Sequence, residues 1–102
     1  MASKKITKSD LIDSLAEETK AEKKVLLDFT DNLLKIIKNE LISGSTIELR
    51  GFGTFEPRLR KGRKVARNPR TGEQLSVEPH YVVAFKPGQE LKKSVWDLKI
   101  DE

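Results

Sequence analysis

Leu11, Ile12, Leu15 and Ala16 recur at the three- and four-residue spacing of a helix that is apolar on one face. The stretch "TKSD", Thr7 to Asp10, stands ahead of them as a capping box, with aspartate in the usual place of Glu or Gln. The Thr7 hydroxyl can accept a backbone N–H of the first turn, and the Asp10 carboxylate can reach back to the cap. "ETKAEKK" is a polar connection. A second helix is expected to begin at Glu22, with that acid in its first turn. Val25, Leu26, Phe29, Leu33, Ile36, Ile37 and Leu41 form its wide apolar stripe. Gly44 is suited to end it at the C′ position. The pattern predicts a helical hairpin.

After Gly44 the period drops to two. "TIELR" puts Ile47 and Leu49 on one face. In "GFGTFE" two glycines flank Phe52, and Phe55 follows three residues later, as in a tight strand-to-strand turn with Phe anchors. A long strand then runs outward from Thr54. Pro57 inside it argues for an edge or bulged position. "RNPRTG" is the turn at the tip, "EQLSVEP" and "HYVVAF" form the returning strand, and Pro79 marks a bulge or break between them. "KPGQELKKSVW" predicts a last helix opened near Pro87 and Gly88, with Leu91, Val95 and Trp96 turned inward. The order is ααβββα. The fold class is α+β: a helical hairpin, a three-stranded antiparallel sheet with a long β-ribbon arm, and a C-terminal helix.

Charge changes the picture most in the arm. From Arg50 to Glu73 eight basic residues face two acidic ones, a local charge of +6; the rest of the chain carries −2. About twelve residues separate Phe55 from the tip, a reach on the order of 40 Å at roughly 3.3 Å per residue. Between Arg58 and Arg70 the apolar residues are Leu59, Val65 and Ala66. Such a ribbon has no core of its own and is marginal in water. A one-signed, Arg-rich charge spread along it is the footprint of a long polyanion. No Phe, Tyr or Trp lies between Arg58 and Arg70, so the stacking platforms of single-strand binders are missing. The features left to recognise are backbone charge and groove shape, which favours duplex DNA over an RNA helix. Pro69, rigid and without an N–H, is then placed to wedge between base pairs.

"GFGTFE", "ARNPRTGE" and "AFKPGQELK" together resemble the signature of the bacterial histone-like HU and integration host factor family, over roughly residues 5 to 96. The minor-groove wedge is the mechanism already described for such architectural proteins, with this family among the examples. The resemblance implies an intertwined dimer whose two arms wrap one duplex and bend it by proline intercalation, largely sequence-tolerant, compacting the bacterial chromosome. It implies that Pro69 is the wedge, braced by Arg67, Asn68 and Arg70, and that Arg58, Arg60, Lys61, Arg63 and Lys64 line the groove. Lys8, Lys86 and Lys92 would touch phosphates from the body, with helix N-termini adding N–H donors. Arg50 with Glu48 resembles a pairing that contributes to site preference within the family; an ordinary same-face ion pair is the equal alternative. The chain departs from the family pattern in Ala66 before "RNP", in Pro57, in Gln89, in the added C-terminal "WDLKIDE", and in one extra residue between "GFG" and "RNP".

The 102 residues fit one domain, with a dimerisation body at 1–55 and 80–102 and an arm at 56–79. Hydrophobic residues are 36% of the chain, below the roughly 45–50% of ordinary domains. That scarcity implies a partner subunit to complete a core around Phe52, Phe55 and Phe85. The partner is expected to be a second copy, with a heterodimer left open. Without cysteine, disulfides and thiolate metal sites are excluded, and His80 is the lone histidine. No acid–base constellation or phosphate loop suggests an enzyme. No cofactor, metal or small-molecule substrate is expected. "MASKKITKSD" lacks the apolar stretch of a signal peptide, and "YVVAF" is too short to span a bilayer. The protein is expected off the membrane, in the cytoplasm, on the bacterial nucleoid.

Overall fold

The computed structural model describes residues 4–67, 70–72 and 74–98; for 63–67 and 74–77 it describes the backbone alone. Asn68, Pro69 and Glu73 lie outside the described residues. The chain divides into two compact units. One holds α1 and most of α2, and the other runs Glu40–Asp97.

Helix α1 spans Lys8–Thr19 and starts as the sequence dictates. Thr7 Oγ1 accepts the Asp10 N–H at 3.3 Å, and Asp10 Oδ2 accepts the Thr7 N–H at 3.0 Å. Those bonds satisfy two donors that a helix start leaves orphaned. They also hold the Asp10 carboxyl below its usual range, the Thr7 backbone bond first and its hydroxyl second. Lys20 ends the helix in the left-handed region. Helix α2 spans Lys23–Ile42. The acid expected in its first turn is absent, because Glu22 stops one residue short and offers only its carbonyl to the Leu26 N–H. Lys8–Asp31 at 2.6 Å and Lys23–Asp13 at 3.1 Å join α1 to α2. The end of α2 is a Schellman cap: the Gly44 N–H donates to Leu41 O and the Ser45 N–H to Glu40 O, with Gly44 at φ +90°.

Strands β1 (Ile47–Leu49), β2 (Gly53–Arg60) and β5 (His80–Pro87) form an antiparallel sheet in the order β1-β2-β5. The turn from β1 to β2 closes with the Phe52 N–H on Leu49 O at 2.9 Å, and Gly51 takes φ +85° there. A Cβ on Gly53 would lie 2.6 Å from both the Phe85 ring and Lys86 O, so the glycine lets that ring lie flat on the strand. Pro57 falls beyond the last β1–β2 pair, Ile47↔Phe55, where β2 has a single neighbour. That is the edge position its missing N–H requires.

The long arm strands are each divided. Pairing pauses at 61–62 and at Glu78–Pro79, then resumes as β3 (Arg63–Arg67) and β4 (Gln74–Val77). Arg60↔His80 and Arg63↔Val77 lie three residues apart on both strands, so the ribbon keeps one register across the pause. The register shifts between Arg63↔Val77 and Ala66↔Leu75, where β3 advances three residues against two on β4. This is a β-bulge, and it absorbs one additional residue on the outgoing strand. Helix α3 spans Gln89–Trp96 behind the Gly88 N-cap, whose N–H donates to Phe52 O at 2.8 Å.

Among the described residues Ile12 and Leu26 are the buried apolar side chains. Phe29, Leu33 and Ile36 stay more than half exposed on the stripe of α2. Phe85 contacts Phe55 with ring centroids 4.7 Å apart and Phe52 at 5.4 Å, yet Phe52 and Phe85 remain 48% and 40% exposed. Trp96, expected to turn inward, is 82% exposed in the single chain.

Candidate nucleic-acid interface

The alternation of β2 and β5 sorts their side chains onto two faces. Phe55↔Phe85, Pro57↔Val83 and Leu59↔Tyr81 share one. Thr54↔Lys86, Glu56↔Ala84, Arg58↔Val82 and Arg60↔His80 share the other. The sheet thus presents an apolar face to be covered and a polar face that gathers Lys86, Arg58 and Arg60, three of the residues expected to meet DNA.

The polar face has a centre that the sequence reading missed. Glu56 Oε1 accepts from Arg58 Nη2 at 2.9 Å and pairs with Lys86 Nζ at 3.1 Å. Arg58, then Lys86, hold the Glu56 carboxyl below its usual range. The clue was available as a Glu-x-Arg spacing on one strand. The same spacing occurs at Glu48 and Arg50. Arg50 falls in the turn after β1 and leaves the strand face, and it forms no ion pair with Glu48. Glu56 and Arg58 both stay within β2, so their side chains point the same way.

The other expected contacts are spread over the chain. Lys61 occupies the pause between β2 and β3, and Arg63, Lys64 and Arg67 lie on the β3 backbone. Arg70 sits in the turn that follows. Lys92 is exposed on α3. Lys8 is engaged by Asp31, a partner 23 residues away on α2. Asn68 and the wedge residue Pro69 are outside the described residues. His80, opposite Arg60, has its Nδ1 2.9 Å from Glu78 O. No group of three or more metal-ligating side chains occurs among the described residues, and none of their helices is long and apolar enough to cross a membrane.

A helical hairpin, a three-stranded antiparallel sheet and a basic two-stranded ribbon that continues β2 and β5 define the class of ribbon-armed α+β proteins. A family model described as bacterial DNA-binding protein matches residues 6–96. The chain belongs to that family, the family of HU and integration host factor. It is 44% identical over 91 residues to integration host factor subunit beta of Vibrio cholerae serotype O1, covering 88% of this chain and 98% of that protein. The subunit beta of Vibrio vulnificus is likewise 44% identical over 91 residues, covering 88% and 97%. Among solved structures it resembles HU from an Anabaena HU–DNA cocrystal, with a TM-score of 0.83 and 33% identity over 91% of this chain and 100% of that one. A variant HU from Thermotoga maritima gives a TM-score of 0.65 and 32% identity over 88% and 99%.

Proposed function

We propose that two copies of this chain form an intertwined dimer that binds duplex DNA and bends it. The two ribbons lie in the minor groove and Pro69 wedges between base pairs at each tip. Arg67, Asn68 and Arg70 brace the wedge. Arg58, Arg60, Lys61, Arg63 and Lys64 follow the groove, Lys8, Lys86 and Lys92 meet phosphates from the body, and Arg50 adds to site preference. Repeated along a chromosome, such bends compact it, which assigns the protein to the bacterial nucleoid in the cytoplasm. The reading includes no catalysis, cofactor or small-molecule substrate.

The observation that carries it is the ribbon: one register from Gly53 to Arg63, with Arg58, Arg60 and Lys86 on a single face. β-Ribbons serve DNA-binding proteins in either groove, and the ribbon's cations release counterions when they meet phosphates. The kinship to integration host factor and to an HU crystallised with DNA supports the choice of partner.

Pro69→Ala tests the wedge. Unstacking a base step costs about a few kcal/mol, offset by the contacts a bent duplex allows. Nicked or mismatched DNA has already relieved part of that cost. The variant is expected to lose bending in an energy-transfer assay on end-labelled duplexes. It should also lose its preference for nicked over intact DNA while keeping salt-dependent binding to straight duplex. A variant that bends intact DNA like the parent, with the same nicked-to-intact ratio, makes Pro69 a turn residue and nothing more.

A further inference from the structure

On the polar face of the β2–β5 ladder one carboxylate oxygen serves two cations from two strands. Glu56 Oε1 lies 2.9 Å from Arg58 Nη2 and 3.1 Å from Lys86 Nζ. Thr54↔Lys86 and Arg58↔Val82 are the same-face pairs on either side of Glu56↔Ala84, so Lys86 lies diagonally across the ladder from the acid and Arg58 two residues along its own strand. An oxygen taking charge-assisted bonds from an arginine and a lysine at these distances occupies the place a phosphate oxygen takes between the same donors. The Glu56 side chain is 24% exposed against 46% for Arg58 and 61% for Lys86. The acid is therefore the more sheltered member, and the cations remain open to a second anion.

We propose that Glu56 is a built-in competitor of DNA phosphate. In the free protein it holds Arg58 and Lys86 together as a preformed fork, and a duplex displaces it to engage both. The inference rests on reading Arg58 and Lys86 as phosphate contacts. Exposed ion pairs are individually weak, so a phosphate backbone of high charge density can replace the carboxylate. Glu56 then acts as a threshold. DNA that reaches both cations compensates the broken pairs, and DNA that reaches only one does not. The acid thereby disfavours loose binding and sharpens the choice of duplex geometry.

The test measures affinity for a straight duplex across a salt series. Glu56→Gln keeps the shape and an acceptor oxygen while removing the competing charge. It is expected to bind on the order of threefold to tenfold more tightly than the parent at low salt, the scale of two weak pairs released. That advantage should shrink as salt screens the charges. Glu48→Gln removes an equal charge from the same face, where Glu48 pairs across from Thr54, and should gain clearly less. In an Arg58→Met, Lys86→Met background the gain from Glu56→Gln should vanish, which a general change of net charge would not produce. Weaker binding by Glu56→Gln makes the acid a positioning group and overturns the proposal. A gain no larger than that of Glu48→Gln, or one that survives in the doubly substituted background, also overturns it. These outcomes leave the DNA reading intact; a parent protein that binds no duplex at all removes both.

Discussion

The β2–β5 ladder and the β3–β4 ribbon are successive stretches of the same two strands, yet they are held differently. The ladder runs from Gly53↔Pro87 to Arg60↔His80 without a register shift. Phe55↔Phe85, Pro57↔Val83 and Leu59↔Tyr81 pin it, because a slip of one residue would turn each apolar side chain onto the polar face. The ribbon reads "RKVAR" against "QLSV" and contains a bulge within its short length. No continuous apolar face fixes its register. The ladder carries a continuous apolar face, and the ribbon sequence carries mostly charge on its outgoing strand. A two-stranded ribbon gains little stability alone.

The largest effect should come from removing the ribbon and keeping the ladder. Arg60 and His80 are direct cross-strand neighbours, so an Asn-Gly turn can replace residues 61–79 and close the hairpin there. Lys61, Arg63, Lys64, Arg67 and Arg70 are lost from each chain. With a salt slope of about −0.9 per phosphate contact, affinity near physiological salt should fall by roughly a thousandfold or more, and bending should disappear. The shortened protein should still fold and dimerise, as checked by circular dichroism and sedimentation. Undiminished bending would mean that the ribbon is not the DNA-binding element.

The converse substitution strikes the ladder. Phe85 touches both Phe52 and Phe55 but is 40% exposed in one chain. If a second copy covers it, Phe85→Ala should cost about 3–5 kcal/mol, as for a core aromatic. The cost should appear as a lower thermal midpoint that rises with protein concentration. The arm charges are untouched, so the salt slope of the assembled dimer should stay the same. A folded monomer at micromolar concentration, with a loss well under that range, would show that the exposed phenylalanines need no partner.

The same contrast decides what could be read in advance. Local rules with a single physical solution were legible. The Thr7–Asp10 box, the left-handed Gly44, the glycine turn before β2, the edge position of Pro57 and the break at Pro79 all appear in the structure. Contacts set by the packing of distant segments were not. Nothing in the sequence announces that Asp31 holds Lys8 across 23 residues. The extra arm residue was visible as a count, but its placement as a bulge was not, since "RKVAR" has no apolar alternation to reveal a shift. Glu56 counts in the sequence as a negative charge in a basic arm, although its spacing to Arg58 is that of Glu48 to Arg50. What separated the two was where β1 ends, and strand ends in a tight turn are set by the glycine at Gly51 more than by the residues that flank it.

The smallest effect concerns pH, and it separates body from arm through two carboxylates. Asp10 belongs to the cap of α1, and Glu56 lies at the root of the arm; both are held below their usual range by hydrogen bonds in the fold. A group whose folded value is depressed contributes stability that is present above its unfolded value and is lost as pH falls through the folded one. Both contributions are therefore complete at pH 7 and fade below the ordinary carboxylate range. Asp10→Asn should lower the thermal midpoint at pH 7 by on the order of a few degrees at most. The gap to the parent should close as the pH is taken down through the acid range. DNA affinity at neutral pH should change little, because Asp10 bonds to Thr7 while Lys8, the candidate contact in that turn, is held by Asp31. Glu56→Gln should show the opposite balance, with a clear change in affinity and little in the midpoint, since its partners are exposed and keep their water. A gap between parent and Asp10→Asn that persists undiminished at the lowest pH would mean that the box is not the source of the difference. An altered affinity in that variant would mean that the Thr7–Asp10 box also positions Lys8, the first residue of α1, for its phosphate.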